Sequence, residues 1–240
     1  MLLMSARLDA LVAQAGWGSR RTVGKLIRSA AVTVDGVICR DRARQVMETS
    51  AIAVHGRPLA TIPRVVLVHK SAGCSCSRDR REAPLVFDLL PEIWRSMEPA
   101  GRLDRFTTGL LIFSRDGSLL HRLIHPKRHL PKRYRVGYDG RMADDAIQRC
   151  AEGFLLEGDE RPTLPAQLSL DGPGQATLIL HEGRFHQVKR MCAALGAQVT
   201  SLHRDRIGAL DLPGDLPIGA CRPASDADIE ALLTIPEEDS

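Results

Sequence analysis

The stretch Gly101-Arg102-Leu103-Asp104-Arg105-Phe106-Thr107-Thr108-Gly109-Leu110-Leu111 joins a polar loop to the start of an apolar segment. Its one acidic residue, Asp104, stands between two arginines, and the apolar residues that follow predict a buried strand. A neighbouring guanidinium favours the ionised form of a carboxylate, which is the form that acts as nucleophile or base. On these residues alone, the simpler interpretation is structural: Asp104 caps the loop or pairs with Arg102 or Arg105.

Strand and helix signals alternate irregularly on both sides of this stretch. Apolar runs and alternating patterns predict strands, whereas helical spacing of apolar residues predicts helices. The predicted strands cover residues 65–68, 110–113, 134–138 and 177–181, and the predicted helices cover 119–124 and 188–195. Because strands and helices in mixed order are typical of α+β proteins, we predict that class for the body of the chain.

The first quarter of the chain differs from the rest in charge. Residues 1–61 carry a formal charge of +5 and the remainder −1, so the whole excess of +4 lies near the N-terminus. Helical spacing predicts helices over residues 7–15 and after Ser19, and Asp35-Gly36 predicts a hairpin turn. The basic face formed by Arg21, Lys25 and Arg28 costs stability through repulsion, which bound phosphates would relieve. Arg40, Arg42 and Arg44 alternate as if along one side of an extended segment.

Composition and cysteine usage narrow the class of protein. Hydrophobic residues make up 44% and charged residues 26% of 240 residues, as in soluble globular proteins, and no apolar run reaches membrane-spanning length. Six scattered cysteines without a secretory signal favour reduced thiols, so we expect a cytoplasmic protein. His181 and His186 are five residues apart and do not share a helical face, and basic residues surround His121 and His125. We therefore predict no metal site.

Three motifs in order resemble those of the pseudouridine synthases. The stretch around Asp104 resembles their catalytic motif, Lys132-Arg133-Tyr134 their K-x-Y motif, and residues 182–191 their third motif. His203 to Gly208 also fits, and the reading Gly-Arg-Phe-His-Gln-Val-Lys-Arg-Met is most similar to the branch that modifies small-subunit ribosomal RNA. Arg7-Leu8-Asp9, Ser19 to Arg28 and Val32 to Gly36 resemble the S4-like RNA-binding module.

The resemblance implies both a fold and a function. It implies a small N-terminal α/β S4-like module at residues 1–60, and a catalytic domain with a mixed, mainly antiparallel sheet at residues 64–240. It implies that the chain isomerises one uridine of ribosomal RNA, most closely that of the small subunit, to pseudouridine. Other readings are a large-subunit rRNA synthase of the same family, or a non-catalytic RNA-binding assembly factor. We expect no cofactor, no membrane association and a monomer that binds ribosomal RNA or a subunit assembly intermediate.

The resemblance also assigns roles to particular residues. Asp104 attacks or deprotonates the ribose, Tyr134 stacks on the uracil, and Lys189 pairs with Asp104. Val188 forms the floor of the pocket, and Arg102 fills the space left by the flipped base or holds phosphate. The residues expected to contact RNA are Arg7, Arg20, Arg21, Lys25, Arg28, Arg40, Arg184, His186 and Arg190. Two positions depart from the family pattern: Ser71 replaces a usual proline, and Phe106 replaces a usual Asp or Asn.

Overall fold

The computed structural model of the protein describes residues 5–47, 50–59, 62–125, 128 and 130–236. Contacts divide the chain into two compact units, Met1–Pro63 with Glu92–Trp94, and Arg64–Pro91 with Arg95–Ser240. Residues 60 and 61, where the predicted module ends and a linker begins, lie outside the described residues. The domain boundaries at 60 and 64 therefore stay a prediction.

The N-terminal unit is a helix–helix–hairpin arrangement around a small apolar core. Its elements are β1 (Ser5–Arg7), α1 (Leu8–Val12), α2 (Arg20–Arg28), β2 (Val32–Val34), β3 (Val37–Ile38), β4 (Gln45–Met47), β5 (Ile52–Val54) and β6 (Arg57–Pro58). Strand β1 pairs with β4, and the other four strands form a sheet in the order β3-β2-β5-β6. The helices bury Leu8, Val12, Val23 and Ile27 against Val32 and Val54 of that sheet.

One local prediction in this unit was confirmed and one was wrong. The helix predicted over residues 7–15 begins as α1, continues beyond Val12 as a π-helical turn, and is broken at Gly16, which adopts a φ of +86°. The segment at 40–44 is a turn instead of an extended strand. The Asp41 carboxylate accepts a hydrogen bond from the Ala43 N–H at 2.8 Å, a turn that short polar side chains favour.

The larger unit is built on one sheet with helices packed against it. Its strands are β7 (Val65–Lys70), β8 (Glu98–Pro99), β9 (Thr108–Ser114), β10 (Lys132–Gly140), β11 (Gln167–Gly172), β12 (Gln175–Leu180), β13 (Ala197–Ile207), β14 (Leu210–Asp211) and β15 (Cys221–Pro223). Its α-helices are α3 (Gly117–Ile124), α4 (Ala146–Glu152), α5 (Gln187–Ala194) and α6 (Asp226–Leu233), and short 3₁₀ turns lie at Arg80–Glu82 and Val86–Leu89.

Strand order places three motif-bearing strands side by side. Among the described residues the sheet runs β11-β12-β10-β13-β9-β7-β15, with β14 added to β13 and β8 added to β9. Neighbouring strands are antiparallel except β9 and β13, which are parallel. The predicted α+β class with a mixed, mainly antiparallel sheet is thus confirmed. Because β9, β13 and β10 are adjacent, residues far apart in sequence meet at one place.

Gly109 is required where β9 meets β13. It pairs with Arg204 and has a φ of +112°, and a Cβ at this position would lie 2.1 Å from the Arg204 carbonyl oxygen. Any side chain would therefore push the two strands apart. Gly109, the glycine of the Asp104 motif, therefore lets β9 pack closely against β13 immediately after the loop that carries Asp104.

Helix α6 is anchored by a carboxylate whose contribution depends on pH. Asp228 accepts two hydrogen bonds from Arg222, at 2.7 and 3.1 Å, and one from the Ser225 N–H at the helix start. The Arg222 hydrogen bonds lower the pKa of Asp228 from 3.8 to about 2. The helix in turn buries Leu232 in the core of the larger unit.

We expect Asp228→Asn to lower the free energy of unfolding of the larger unit by about 2 kcal/mol at neutral pH. A carboxylate with a depressed folded-state pKa stabilises the fold above its ordinary pKa and loses that effect as pH falls through the folded-state value. The difference between variant and wild type should therefore shrink as pH falls from about 4 to about 2. Urea unfolding across that range measures it, and an equal difference at every pH would contradict this account.

Candidate active site

The Asp104 loop is held by a buried lysine at the end of β7. Lys70 is fully buried, and its ammonium donates hydrogen bonds to the backbone carbonyls of Asp104 at 3.0 Å, Arg105 at 3.1 Å and Thr107 at 2.8 Å. A tight turn closes above it, because the Thr107 N–H donates to the Asp104 carbonyl at 3.0 Å. The backbone that carries Asp104 is thereby fixed from below.

Sequence reasoning missed this role of Lys70. In the sequence, this region stands out only through Ser71, which replaces the usual proline of the family next to Lys70. The Ser71 carbonyl also accepts from the Lys70 ammonium, at 3.2 Å, and from the Cys74 thiol, at 3.1 Å. Burial lowers the pKa of Lys70, an effect that the nearby Cys74, Cys76 and Asp104 side chains partly offset. A lysine at the end of a strand that begins with four apolar residues was the available signal.

The basic side chains beside the Asp104 carboxylate come from the third motif, not from the neighbouring arginines. The Lys189 ammonium lies 3.6 Å from Oδ2, and His186 Nε2 lies 3.5 Å from Oδ1. Arg105 instead donates to the carbonyls of Glu82 and Ala83, at 3.2 and 3.4 Å. The side chain of Asp104 is 25% exposed, so it stays accessible to a substrate. This geometry favours a chemical role over a structural cap.

Tyr134 lies on β10, which pairs with the same strand, β13, as β9 does. It pairs with Arg204 on β13, and Arg204 pairs with Gly109 on β9. The Tyr134 side chain is 8% exposed, and its hydroxyl lies 3.5 Å from Arg204 Nη1. Arg204 is buried and donates from Nε to the Leu110 carbonyl at 3.0 Å. It therefore links Tyr134 to the strand that follows the Asp104 loop, a role that sequence reasoning did not assign.

Helix α5 begins beside the acid. His186, immediately before the helix, adopts a left-handed conformation with a φ of +50° and faces Asp104. Val188 is buried and Lys189 is about one-third exposed, so successive residues serve the core and the site. Arg102 of the catalytic motif is exposed. The roles that the resemblance assigns to Val188, Lys189 and Arg102 stay predictions.

Arg184 and Arg190 occupy an internal ion-pair network. Arg184 donates to Asp159 at 2.8 Å and to Glu182 at 3.0 Å, and Arg190 donates to Asp159 at 2.6 Å. The two guanidiniums hold the pKa of Asp159 below its usual range, with Arg190 the larger cause. Arg190 also donates to the Phe185 carbonyl at 3.4 Å. RNA contact by these arginines stays a prediction, while their observed contacts fix the third motif loop.

The basic residues of the N-terminal unit lie on its surface. Arg20, Arg21, Lys25, Arg28 and Arg40 are all exposed, and Arg40 donates to the Arg28 carbonyl at 2.8 Å. Arg7 differs, because it forms two hydrogen bonds to the buried Asp9, at 3.0 and 2.9 Å. That pair lowers the pKa of Asp9. The helix α2 face is thus available to a polyanion, whereas Arg7 is partly committed to the fold.

The described part of the chain shows neither a metal-binding cluster nor a membrane-spanning helix. Within it, no group of three or more His, Cys, Asp or Glu side chains is arranged to hold a metal ion. None of the helices described there is both long and apolar enough to cross a membrane.

Two family models match the chain. The family model described as RNA pseudouridylate synthase matches residues 64–194, and the S4 domain model matches residues 6–49. Ribosomal small subunit pseudouridine synthase A of Escherichia coli (strain K12) is 40% identical, covering 95% of this chain and 100% of the relative. The protein of that name from Haemophilus influenzae is 36% identical, covering 95% and 99%.

A solved structure agrees with these relatives. It is described as a crystal structure of pseudouridylate synthase, is 36% identical, covers 95% of this chain and all of its own, and has a TM-score of 0.67. The predicted resemblance is confirmed over both units. The chain therefore belongs to the RNA pseudouridylate synthase family and carries an S4 domain near its N-terminus.

Proposed function

We propose that this protein isomerises one uridine of small-subunit ribosomal RNA to pseudouridine, with Asp104 as the catalytic carboxylate. The observation that carries the proposal is the pairing of Asp104 with Lys189 and His186, at 3.6 and 3.5 Å. The Lys189 ammonium beside this partly exposed carboxylate orients it for reaction. Lys70 holds the backbone of the same loop, so the carboxylate is positioned before substrate arrives.

The isomerisation conserves every atom of the nucleoside except for one exchanged proton. The bond between uracil N1 and ribose C1′ breaks, the base turns in the pocket, and a bond forms between C5 and C1′. The proton on C5 leaves, and N1 gains one. Asp104 either forms an ester at C1′ or abstracts the adjacent ribose proton. Neither route requires an external oxidant, and the reaction needs one carboxylate rather than the pair used by glycosidases.

The residues around Asp104 suit a flipped uridine. Tyr134 provides an aromatic face for the uracil, and stacking of this kind contributes about 1–3 kcal/mol per base. Val188 provides the apolar floor of the pocket. The exposed Arg102 fills the space that the base leaves or binds a phosphate. Flipping costs a few kcal/mol and less from an unpaired loop, so we expect a loosely structured target.

The relatives' names and the S4 domain support ribosomal RNA as the partner. The 40%-identical relative is named a ribosomal small subunit pseudouridine synthase, and the match covers that entire protein. The exposed basic face of α2 suits the RNA backbone. On this proposal the protein acts as a cytoplasmic monomer on rRNA or on a subunit assembly intermediate.

Tritium release tests the proposed activity directly. Small-subunit and large-subunit rRNA are transcribed separately with uridine tritiated at C5 and incubated with the purified protein. We expect stoichiometric release, close to one tritium per molecule, from the small-subunit RNA alone. Release from large-subunit RNA would reassign the substrate, and binding without release from either RNA would support a non-catalytic assembly factor.

The basic face of α2 should set the salt dependence of RNA binding. We expect the triple variant Arg21→Ala, Lys25→Ala, Arg28→Ala to bind rRNA more weakly and to reduce the slope of log Kd against log salt by about 2. Each lost phosphate contact removes counterion release worth about 0.7 of slope on single strands. Filter binding at several salt concentrations measures the slope. An unchanged slope would remove this face from the RNA interface.

A further inference from the structure

Two phenylalanines are exposed beside the catalytic carboxylate. The exposed fraction is 70% for Phe106 and 74% for Phe185. Phe106 follows Asp104 by two residues in the turn that ends at Thr107. Phe185 precedes His186, whose imidazole lies 3.5 Å from the Asp104 carboxylate. Scattered exposed apolar residues are common, but large rings on two separate segments beside one reactive group suggest a binding surface.

Phe185 presents one free ring face on a fixed support. Its ring stacks on His186 with centroids 3.8 Å apart and an interplanar angle of 20°. Its backbone carbonyl accepts from Arg190, and the adjacent Arg184 N–H donates to the Gln187 side chain at 2.8 Å. The ring is therefore pre-organised with one face against His186 and with most of its surface open to solvent. A planar group placed on that open face would continue the stack formed by Phe185 and His186, and His186 in turn contacts Asp104.

Phe106 is supported in a comparable way. The carbonyls on both sides of it, those of Arg105 and Thr107, accept hydrogen bonds from the buried Lys70 ammonium. The Arg105 carbonyl also accepts from the Gly73 N–H at 2.8 Å. The turn is held from beneath while the ring points into solvent. A rigid loop that exposes an aromatic ring loses little entropy when the ring binds a partner.

The surroundings identify the chemistry of that partner. Exposed Arg102 and Arg105, together with Lys189 and His186, make the area basic, so the partner has to combine planar apolar faces with negative charge. Single-stranded RNA has both, and its bases stack on aromatic side chains without sequence preference. A protein partner would instead favour a continuous apolar patch.

We propose that Phe106 and Phe185 form a stacking surface for the unpaired bases that flank the target uridine. This inference rests on the proposed function for the identity of the target uridine. It adds that the enzyme also binds the bases on either side of that uridine. Stacking on flanking bases holds the substrate in the ground state and the transition state alike. Loss of this stacking therefore raises KM and leaves kcat nearly unchanged. These two residues are binding residues, and Asp104 remains the group that reacts.

The test uses Phe106→Leu and Phe185→Leu, which remove the ring and keep apolar volume. Ile147→Ala is the matched control, because Ile147 is 51% exposed on α4, outside the residues placed at the site. Tritium release from small-subunit rRNA should show KM raised about tenfold for each leucine variant, with kcat within about twofold of wild type. Phe185→Trp should keep KM close to that of wild type, since it keeps an aromatic ring at this position.

A binding measurement makes the inference independent of activity. Each protein is titrated with a short single-stranded oligouridylate and with an abasic oligomer of the same length. We expect wild type and Ile147→Ala to prefer the oligouridylate, and both leucine variants to lose most of that preference while binding the abasic oligomer equally well. Equal preference in all four proteins would overturn the proposal. Absence of tritium release from wild type would instead overturn the proposed function, and this titration would still decide the stacking surface.

Discussion

Asp104→Asn is expected to lower the rate of pseudouridine formation by about 10³-fold or more while leaving the fold and RNA affinity close to those of wild type. Asparagine keeps the size and hydrogen-bonding shape of the side chain but is neither a nucleophile nor a base at neutral pH. The turn that carries residue 104 is held through backbone carbonyls by Lys70, so it does not depend on the carboxylate. The effect should therefore fall on the chemical step.

Single-turnover tritium release and equilibrium binding separate the two effects. The matched control is Asp144→Asn, which removes a carboxylate that is 88% exposed and pairs only with Arg141 in the described structure. Surface pairs of this kind contribute little, so that variant should behave as wild type. Substantial turnover by the Asp104→Asn enzyme would mean that another group does the chemistry.

Lys70→Met is expected to lower both stability and activity. Methionine fills much of the same space but donates no hydrogen bond, so the four carbonyls that Lys70 contacts lose a buried cationic donor. Leaving a buried carbonyl without its donor commonly costs about 1–3 kcal/mol. The loop would also lose its fixed position, and misplacement of a reacting group by about 1 Å can reduce the rate about 100-fold.

A positioning role can be distinguished from simple unfolding by temperature. Well below the melting temperature of the variant, where the protein is folded, kcat should still be reduced about 100-fold while KM changes little. Restoration of full activity at low temperature would show that Lys70 serves stability alone. An unchanged melting temperature together with unchanged kcat would contradict both roles.

The pairing of Asp104 with Lys189 was predictable because both residues lie in motifs of the family. Asp104, Tyr134 and Lys189 could be named from the sequence, and the structure brings Asp104 and Lys189 to 3.6 Å. The α+β class also followed from the irregular order of strand and helix signals. Both predictions depend on local sequence patterns, which can be recognised without knowing the contacts between distant segments.

The supporting residues were not predictable in the same way, because their roles depend on contacts between distant segments. Lys70 looks like an exposed strand end until the Asp104 loop is placed over it, and the role of Arg204 needs the parallel pairing of β9 and β13. The ion pairs that Arg184 and Arg190 form with Asp159 depend in the same way on a loop that is distant in sequence. The sequence around an arginine does not show whether its partner is a phosphate or a carboxylate from another loop.

The central claim, that Asp104 of this chain makes a pseudouridine in small-subunit ribosomal RNA, is tested most directly by mapping pseudouridine in cells. Ribosomal RNA is mapped in a strain that lacks the gene and in the same strain supplied with wild-type protein or with Asp104→Asn. We predict one position in small-subunit rRNA that is uridine without the protein, pseudouridine with wild type, and uridine again with the variant. The same pseudouridine positions in all three strains would contradict the account. Pseudouridine at the predicted position in the strain supplied with Asp104→Asn would contradict it as well.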